Sequence, residues 1–260
     1  MLTPVLTPYL PAGQAKVLIA GEGARGFSDA LDTLGLSLLY TAPIAALPKN
    51  LATHADLAVC PMGNNRFFLD RSQTALFAKL QAHGFCVSYG ESTASQGYPA
   101  DVPFNSLQLG ENRFLCNEKT VDISIFQYAN AQNYVILNCK QGYTKCSVAP
   151  IRKNAVLTDD NGIAKTLQKN GFDVLQLEKG DILLQGFHYG FIGGCCTMLS
   201  QSEMLFLGDI CLHRNGDAIK AFLQNYGITP ICIKKTPLTD IGSLIPLLQE
   251  ENINAQTKMV

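Results

Sequence analysis

The first pairing in this sequence with the makings of chemistry is a cysteine beside a lysine, in "KQGYTKCSVAP" from Lys140 to Pro150. A neighbouring cation favours the thiolate, the nucleophilic form of the side chain, so Cys146 next to Lys145 reads as a candidate nucleophile. Adjacent residues on a strand point to opposite faces, so the pair fits a buried thiol with its lysine turned away equally well. "GFIGGCC" supplies a second thiol, Cys195, followed by Cys196, after glycines that suit either close backbone packing or an oxyanion nest. His54 and Asp56 in "THADL" have the i, i+2 spacing of one strand face, where a base and an acid would orient each other. A turn histidine and a strand-opening aspartate bonded to backbone is the other reading.

Asp101 and Asn105 occur in the next copy at the matching strand, with Asp101 on the same 47-residue register as His54, which points to a shared polar cavity. Asp240 and Ser243 in "LTDIGSL" are candidate ligand anchors, or a turn and a strand cap. No metal is expected: His188 and His213 lack companions at ligand spacing and the nine cysteines form no CxxC pair. "DDNG", from Asp159 to Gly162, is too short for a calcium loop and reads as a turn before a helix. Gly21, Gly23 and Gly26 match the GxGxxG spacing of a pyrophosphate cradle, but the next strand, "LSLLYTAP", offers no acid for a ribose, so no nucleotide cofactor is expected.

The elements that must position these residues recur. "SDALDTLGLSLLY", "TALFAKLQAHGFCVSY", "GIAKTLQKNGFDVLQL" and "AIKAFLQNYGITPICI" each read as a helix with apolar steps of three and four, a terminating glycine, and a strand. "TVDISIFQYANAQNYVILNCK" is a fifth copy, in which Asn130 or Asn133 takes the glycine's place. Upstream, Gly63 to Phe67 aligns with Gly110 to Phe114, and Asp160 with Asp209, which sets Cys146 against Cys195. Five ββαβ units of this size cannot each bury both faces alone and must share a core. A ring would gather their inner strands round an axial cavity.

At 260 residues, 47% hydrophobic and 16% charged, the chain predicts one globular domain, with 1–15 an N-terminal extension and 249–260 a C-terminal tail. A net charge of -1 gives no support to general nucleic-acid or membrane-surface binding. The odd number of cysteines, and an N-terminus without a basic start and apolar run, lead to the expectation of a reduced, cytoplasmic protein.

"HADLAVCPMG", "YPADVPFNSLQLG", "KQGYTKCS", "GDILLQGFHYGFIGG" and "DIGSLIPL" resemble the pentein fold, and within it an uncharacterised bacterial branch. The likeness runs from about Lys16 to Leu248. It implies a five-bladed α/β propeller with helices outside, the fold of arginine deiminases, amidinotransferases and dimethylarginine hydrolases. It further implies a histidine and an acid in a middle-to-late repeat and a nucleophilic cysteine near the C-terminus. Here Phe191 and Gly193 fall in the histidine and acid places, and "DIGSLIPL", with Pro246 or a neighbour in the nucleophile's place, holds neither cysteine nor histidine. The expectation is a noncatalytic pentein-like protein binding a small polar ligand or a protein at its axial face through Asp56, Asp101, Asn105, Lys145, Asp240 and Ser243. The alternative is a thiol-dependent hydrolase or amidinotransferase using Cys146 or Cys195, with His54 as base.

Overall fold

The computed structural model describes residues 1–110 and 112–251. It is a mixed α/β structure whose strands form small separate sheets, five of them among the described residues. The chain opens with β1 (Leu2–Pro4), β2 (Ala15–Ala20), α1 (Ser28–Thr33) and β3 (Ser37–Tyr40), followed by the short α2 (Ala55–Ala58). Then come β4 (Val59–Pro61), β5 (Arg66–Leu69), α3 (Thr74–Ala82) and β6 (Cys86–Tyr89), and β7 (Leu107–Leu109), β8 (Arg113–Cys116), α4 (Ile123–Ala131) and β9 (Val135–Asn138). β10 (Val148–Arg152), β11 (Ala155–Thr158), α5 (Asn161–Lys169) and β12 (Asp173–Gln176) precede β13 (Cys196–Met198), β14 (Glu203–Phe206), α6 (Gly216–Asn225) and β15 (Thr229–Cys232). β16 (Leu244–Glu250) closes the series.

Each sheet has an antiparallel pair and a third, parallel strand reached through a helix: β4-β5-β6, β7-β8-β9, β10-β11-β12, β13-β14-β15 and β16-β2-β3. A short turn joins the antiparallel neighbours except where β16 pairs with β2 and β1, which come from the opposite end of the chain, whereas a parallel neighbour needs a crossover, which the helix supplies. The helices bury residues four apart, such as Leu76 and Leu80, Ile125 and Ala129, or Ile219 and Leu223, so one stripe of each lies against its sheet. Each crossover helix then leaves through a left-handed residue: Gly171 has φ +79, and Asn133, with φ +55, fills that post in the fifth copy.

Apolar clusters span successive sheets. Cys60, Met62 and Phe68 pack with Phe114 and Cys116; Ile151 and Leu157 with Met198 and Phe206; Leu205 and Leu207 with Leu18 and Leu244. The largest cluster joins Leu69, Leu107, Val156 and Ile245.

Three expectations need correction. The segment 1–15 is not a free extension, because β1 pairs antiparallel with β16, and Gln249 and Glu250 of the expected tail belong to β16; residues 252–260 lie outside the described residues. His54 and Asp56 do not share a strand face, since Asp56 lies in α2 and His54 just before it. Cys146 and Cys195 are not counterparts. Val148 pairs with Thr158 and Cys196 with Phe206, an offset of 48 on both strands, and Ala155 and Glu203, which begin the pairing with the third strand, are also 48 apart. Cys146 therefore matches Gly194, and Cys195 matches Ser147. The offset of 49 between Asp160 and Asp209 holds only for these two N-caps, because the later unit has one more residue between strand and cap.

Candidate functional site

The segments entering the first strand of each sheet converge. Asp56 precedes β4, Asn105 precedes β7, Lys145 and Cys146 lie in the turn before β10, Gly193 precedes β13 and Ser243 precedes β16. Asn105 ties three of these segments together. Its Oδ1 accepts from the backbone N–H groups of Lys145 (2.7 Å) and Cys146 (3.1 Å), and its Nδ2 donates to the Asp56 carbonyl (3.1 Å) and to Cys146 Sγ (2.9 Å). Cys146 Sγ donates to Asp56 Oδ2 at 3.2 Å, and Ser243 Oγ donates to the same oxygen. Asp56 Oδ1 is buried without a partner.

Lys145 turns away from the thiol it follows. Its Nζ donates to the Gly193 carbonyl (2.9 Å) and to Ser243 Oγ (3.1 Å), and lies 4.4 Å from the centre of the Tyr9 ring. The side chain is only 2% exposed. A lysine that lowers the thiol pKa, the reading that made Cys146 a nucleophile, is thus not what the geometry provides. Burial pushes the Cys146 thiol well above its ordinary range, and the charges of Asp56 and Asp240 push it further. Iodoacetamide at pH 7.5 is accordingly expected to label exposed Cys86, Cys211 and Cys232 and leave Cys146 unmodified in peptide mass spectra.

Beside this network lies a cavity of about 260 Å³. Its polar lining includes His54, Cys146 and Asp240, and its walls include Leu57, Leu184 and the rings of Tyr143, Tyr189 and Phe191. Asp240 Oδ1 accepts from Gly242 N–H and Oδ2 from Phe191 N–H, both at 2.9 Å. Burial raises the Asp240 carboxyl pKa, with His54 acting in the opposite sense. The left-handed Gly242 (φ +81) leaves no room for a side chain, because a Cβ there would run into His54. Asp101 reaches the cavity through Tyr143, whose hydroxyl donates to its carboxylate. That bond and burial hold the tyrosine hydroxyl protonated, since burial is the larger cause of its raised pKa.

Cys195 does not join the group; its Sγ donates to the Ile192 carbonyl at 3.3 Å within the apolar cluster of β13. Sequence reasoning missed Tyr9, Tyr143, Tyr189 and Asp159. Tyr143 stood three residues from the candidate cysteine, which is the one local signal it carried. Two of the GxGxxG glycines serve packing: a Cβ on Gly21 would meet the Thr53 carbonyl, and one on Gly23 would lie 2.9 Å from Ile241 Cβ, whereas one on Gly26 would meet nothing within 4 Å. A larger open groove, about 930 Å³ around Leu10, Arg152 and Met198, shares no lining residue with this cavity. Among the described residues no three metal-binding side chains are grouped to hold an ion, and no helix is long and apolar enough to cross a membrane.

Residues 18–245 match the model of DUF6873, described as a family of unknown function. The chain belongs to DUF6873. No curated protein matches this DUF6873 sequence. Among solved structures it is similar to SxtG, an amidinotransferase from Microseira wollei in the saxitoxin biosynthetic pathway, with 11% identity and a TM-score of 0.59 over 95% of this chain and 98% of that one. Inosamine-phosphate amidinotransferase StrB1 from Streptomyces griseus gives 11% and 0.60 over 96% and 98%. DDAH from Pseudomonas aeruginosa, complexed with citrulline, gives 11% and 0.53 over 85% and 93%. At these identities the DUF6873 chain shares their fold, and its site stands on its own residues.

Proposed function

We propose that this protein binds a small, positively charged polar ligand in the 260 Å³ cavity and does not turn it over. One observation carries this reading: the cavity's thiol donates to Asp56 while the adjacent lysine is engaged by Gly193 and Ser243. A thiol held protonated by its burial, and further by two carboxylates, is a poor nucleophile, and the same carboxylates favour a cation nearby. Asp240 is the anchor, with Asp101 acting through Tyr143. The shared apolar clusters and the convergence of five strand entries support a closed ring of five sheets, with this cavity near its axis and the helices outside. Nine free cysteines, six of them buried, fit a reducing compartment such as the cytoplasm.

Titration calorimetry with small organic cations tests the reading. Asp240→Asn is expected to weaken binding about 10- to 100-fold, the range for losing a charge-assisted contact of about 1.5–3 kcal/mol. Unchanged affinity in that variant would remove the anchor. The second reading, a thiol-dependent hydrolase or amidinotransferase acting on a guanidino or related C–N substrate, is favoured by one feature: His54 and Cys146 line the same cavity. Release of citrulline, ornithine or ammonia from guanidino compounds, abolished in Cys146→Ser, would establish that reading and displace the first.

A further inference from the structure

We infer that the ligand of this cavity is an organic cation with an apolar body and no carboxylate, an alkyl or arylalkyl base, and that amino acids are poor ligands for it. The inference rests on the cation-binding reading above and deepens it by naming the class of ligand. Polar atoms for an N–H head group of any kind are at hand, since Asp240, His54, His188 and Tyr189 all line the cavity. The rest of the wall decides what that head group is attached to.

The charge of the wall is the first constraint. Among the described residues, Asp240 is the one carboxylate lining the cavity, and no lysine or arginine lines it. Two lysines close by are committed. Lys145 Nζ is held by Gly193 and Ser243, and Lys179 Nζ, 5.8 Å from the centre of the Tyr189 ring, pairs with Asp160 Oδ2 at 3.6 Å. A carboxylate on the ligand would therefore meet the charge of Asp240 with no guanidinium or ammonium to clamp it. An amino acid brings such a carboxylate, and the corresponding amine does not.

The second constraint is the surface beside Asp240. Leu51 and Leu57 belong to the largest apolar cluster and Leu184 packs against it, so part of the cavity wall is the surface of the core itself. Phe191 and Phe187 extend this surface, and Phe187 is 45% exposed, so the cavity opens to solvent at an apolar ring. Tyr98, 53% exposed, stacks on Tyr143 of the wall at 5.9 Å and 27°, which adds ring surface beside it. Hydrocarbon laid against such a wall gains about fourfold in affinity for each methylene fully buried. A hydroxyl or ether oxygen in the same place gives up its hydrogen bonds to water and finds no donor there. The volume, about 260 Å³, lies just under the roughly 300 Å³ at which pockets for drug-sized molecules begin, which limits the body to a short alkyl chain or one aryl ring.

The test is calorimetry on the full chain at pH 8, above the ordinary imidazole range, and at one ionic strength, with melting curves alongside. Two matched pairs are compared. Hexylamine and 2-(2-aminoethoxy)ethanol are equal in length and charge and differ in the polarity of the body; phenethylamine and phenylalanine differ by a carboxylate. The first member of each pair is expected to bind at least about 10-fold tighter than the second. Phe187→Ser, at a position 45% exposed, is expected to shrink the hexylamine gap at least about threefold. A gap below 10-fold in either pair, or a hexylamine gap that Phe187→Ser leaves unchanged, would overturn the inference; binding of any of the three amines would then leave the cation-binding reading standing. Absence of binding by all three amines would overturn both.

Discussion

Lys145→Met is expected to destabilise the protein by about 3–5 kcal/mol, the range for removing one partner from a buried charged network. The side chain lies at the meeting point of several segments: Nζ reaches Gly193 before β13 and Ser243 before β16, and Ser243 reaches Asp56 in α2. Methionine fills similar volume and donates nothing. The Gly193 carbonyl would keep only its 2.9 Å contact with Ser243 Oγ, and Asp56, 0% exposed with one oxygen already unpartnered, would lose the cation that balances it through the serine. In a chain of this size each kcal/mol moves the melting point by about 2–4 °C, so a fall of roughly 10 °C should appear in a thermal melt. Adding Asp56→Asn to Lys145→Met is expected to restore part of the loss, because it removes the stranded charge. A coupling of about 1–3 kcal/mol in the double-mutant cycle would mark the two residues as one unit. Strictly additive losses would show that Lys145 contributes packing alone.

The sequence announced the helices and their exits better than it announced the site. Helical stripes such as Ile219 and Leu223, and left-handed exits such as Gly171, are local: they depend on spacing within one segment and on one backbone conformation. The alignment of Cys146 with Cys195 failed for an equally local reason. Asp160 and Asp209 both cap helical turns, and a cap follows the helix it starts, so one inserted residue upstream displaces every position counted back from it. α2 was invisible because four residues show no periodicity, and without it the i, i+2 spacing of His54 and Asp56 resembled a strand. The cavity wall lay deeper still. Tyr143, Tyr189 and Phe191 come from irregular segments, and their stacking is a property of how those segments meet. Asp101 and Tyr143 illustrate the same limit: 42 positions separate them, and neither has a local pattern that names the other.

Asp159 carries the second large expectation. It sits beside the helix-capping Asp160 and resembles it in sequence, yet its side chain turns inward: it is 4% exposed, Oδ2 accepts from Ile192 N–H at 3.0 Å, and Oδ1 has no partner. Burial raises its carboxyl from the ordinary 3.8 to about 7, against the downward pull of the Ile192 bond and of Lys179, with Asp240 and Asp160 adding to the rise. Between those two values the folded protein holds a proton that the unfolded chain has released. Stability contributed by this group is therefore full below about pH 3.8, falls as pH rises, and is gone above about pH 7. At about 1.4 kcal/mol per unit, the window amounts to about 4 kcal/mol. Asp159→Asn keeps an oxygen to accept from Ile192 and removes the charge. Denaturant melts should find the variant more stable than the wild type by about 2–4 kcal/mol at pH 8, with the gap shrinking toward zero near pH 4. Comparing the two proteins at each pH cancels the titration of groups remote from the substitution, although Asp240, which senses the same charge, will contribute a smaller drift of like sign. A gap that stays constant from pH 4 to pH 8 would mean that Asp159 is ionised throughout, and that the Ile192 N–H and the Lys179 charge outweigh its burial.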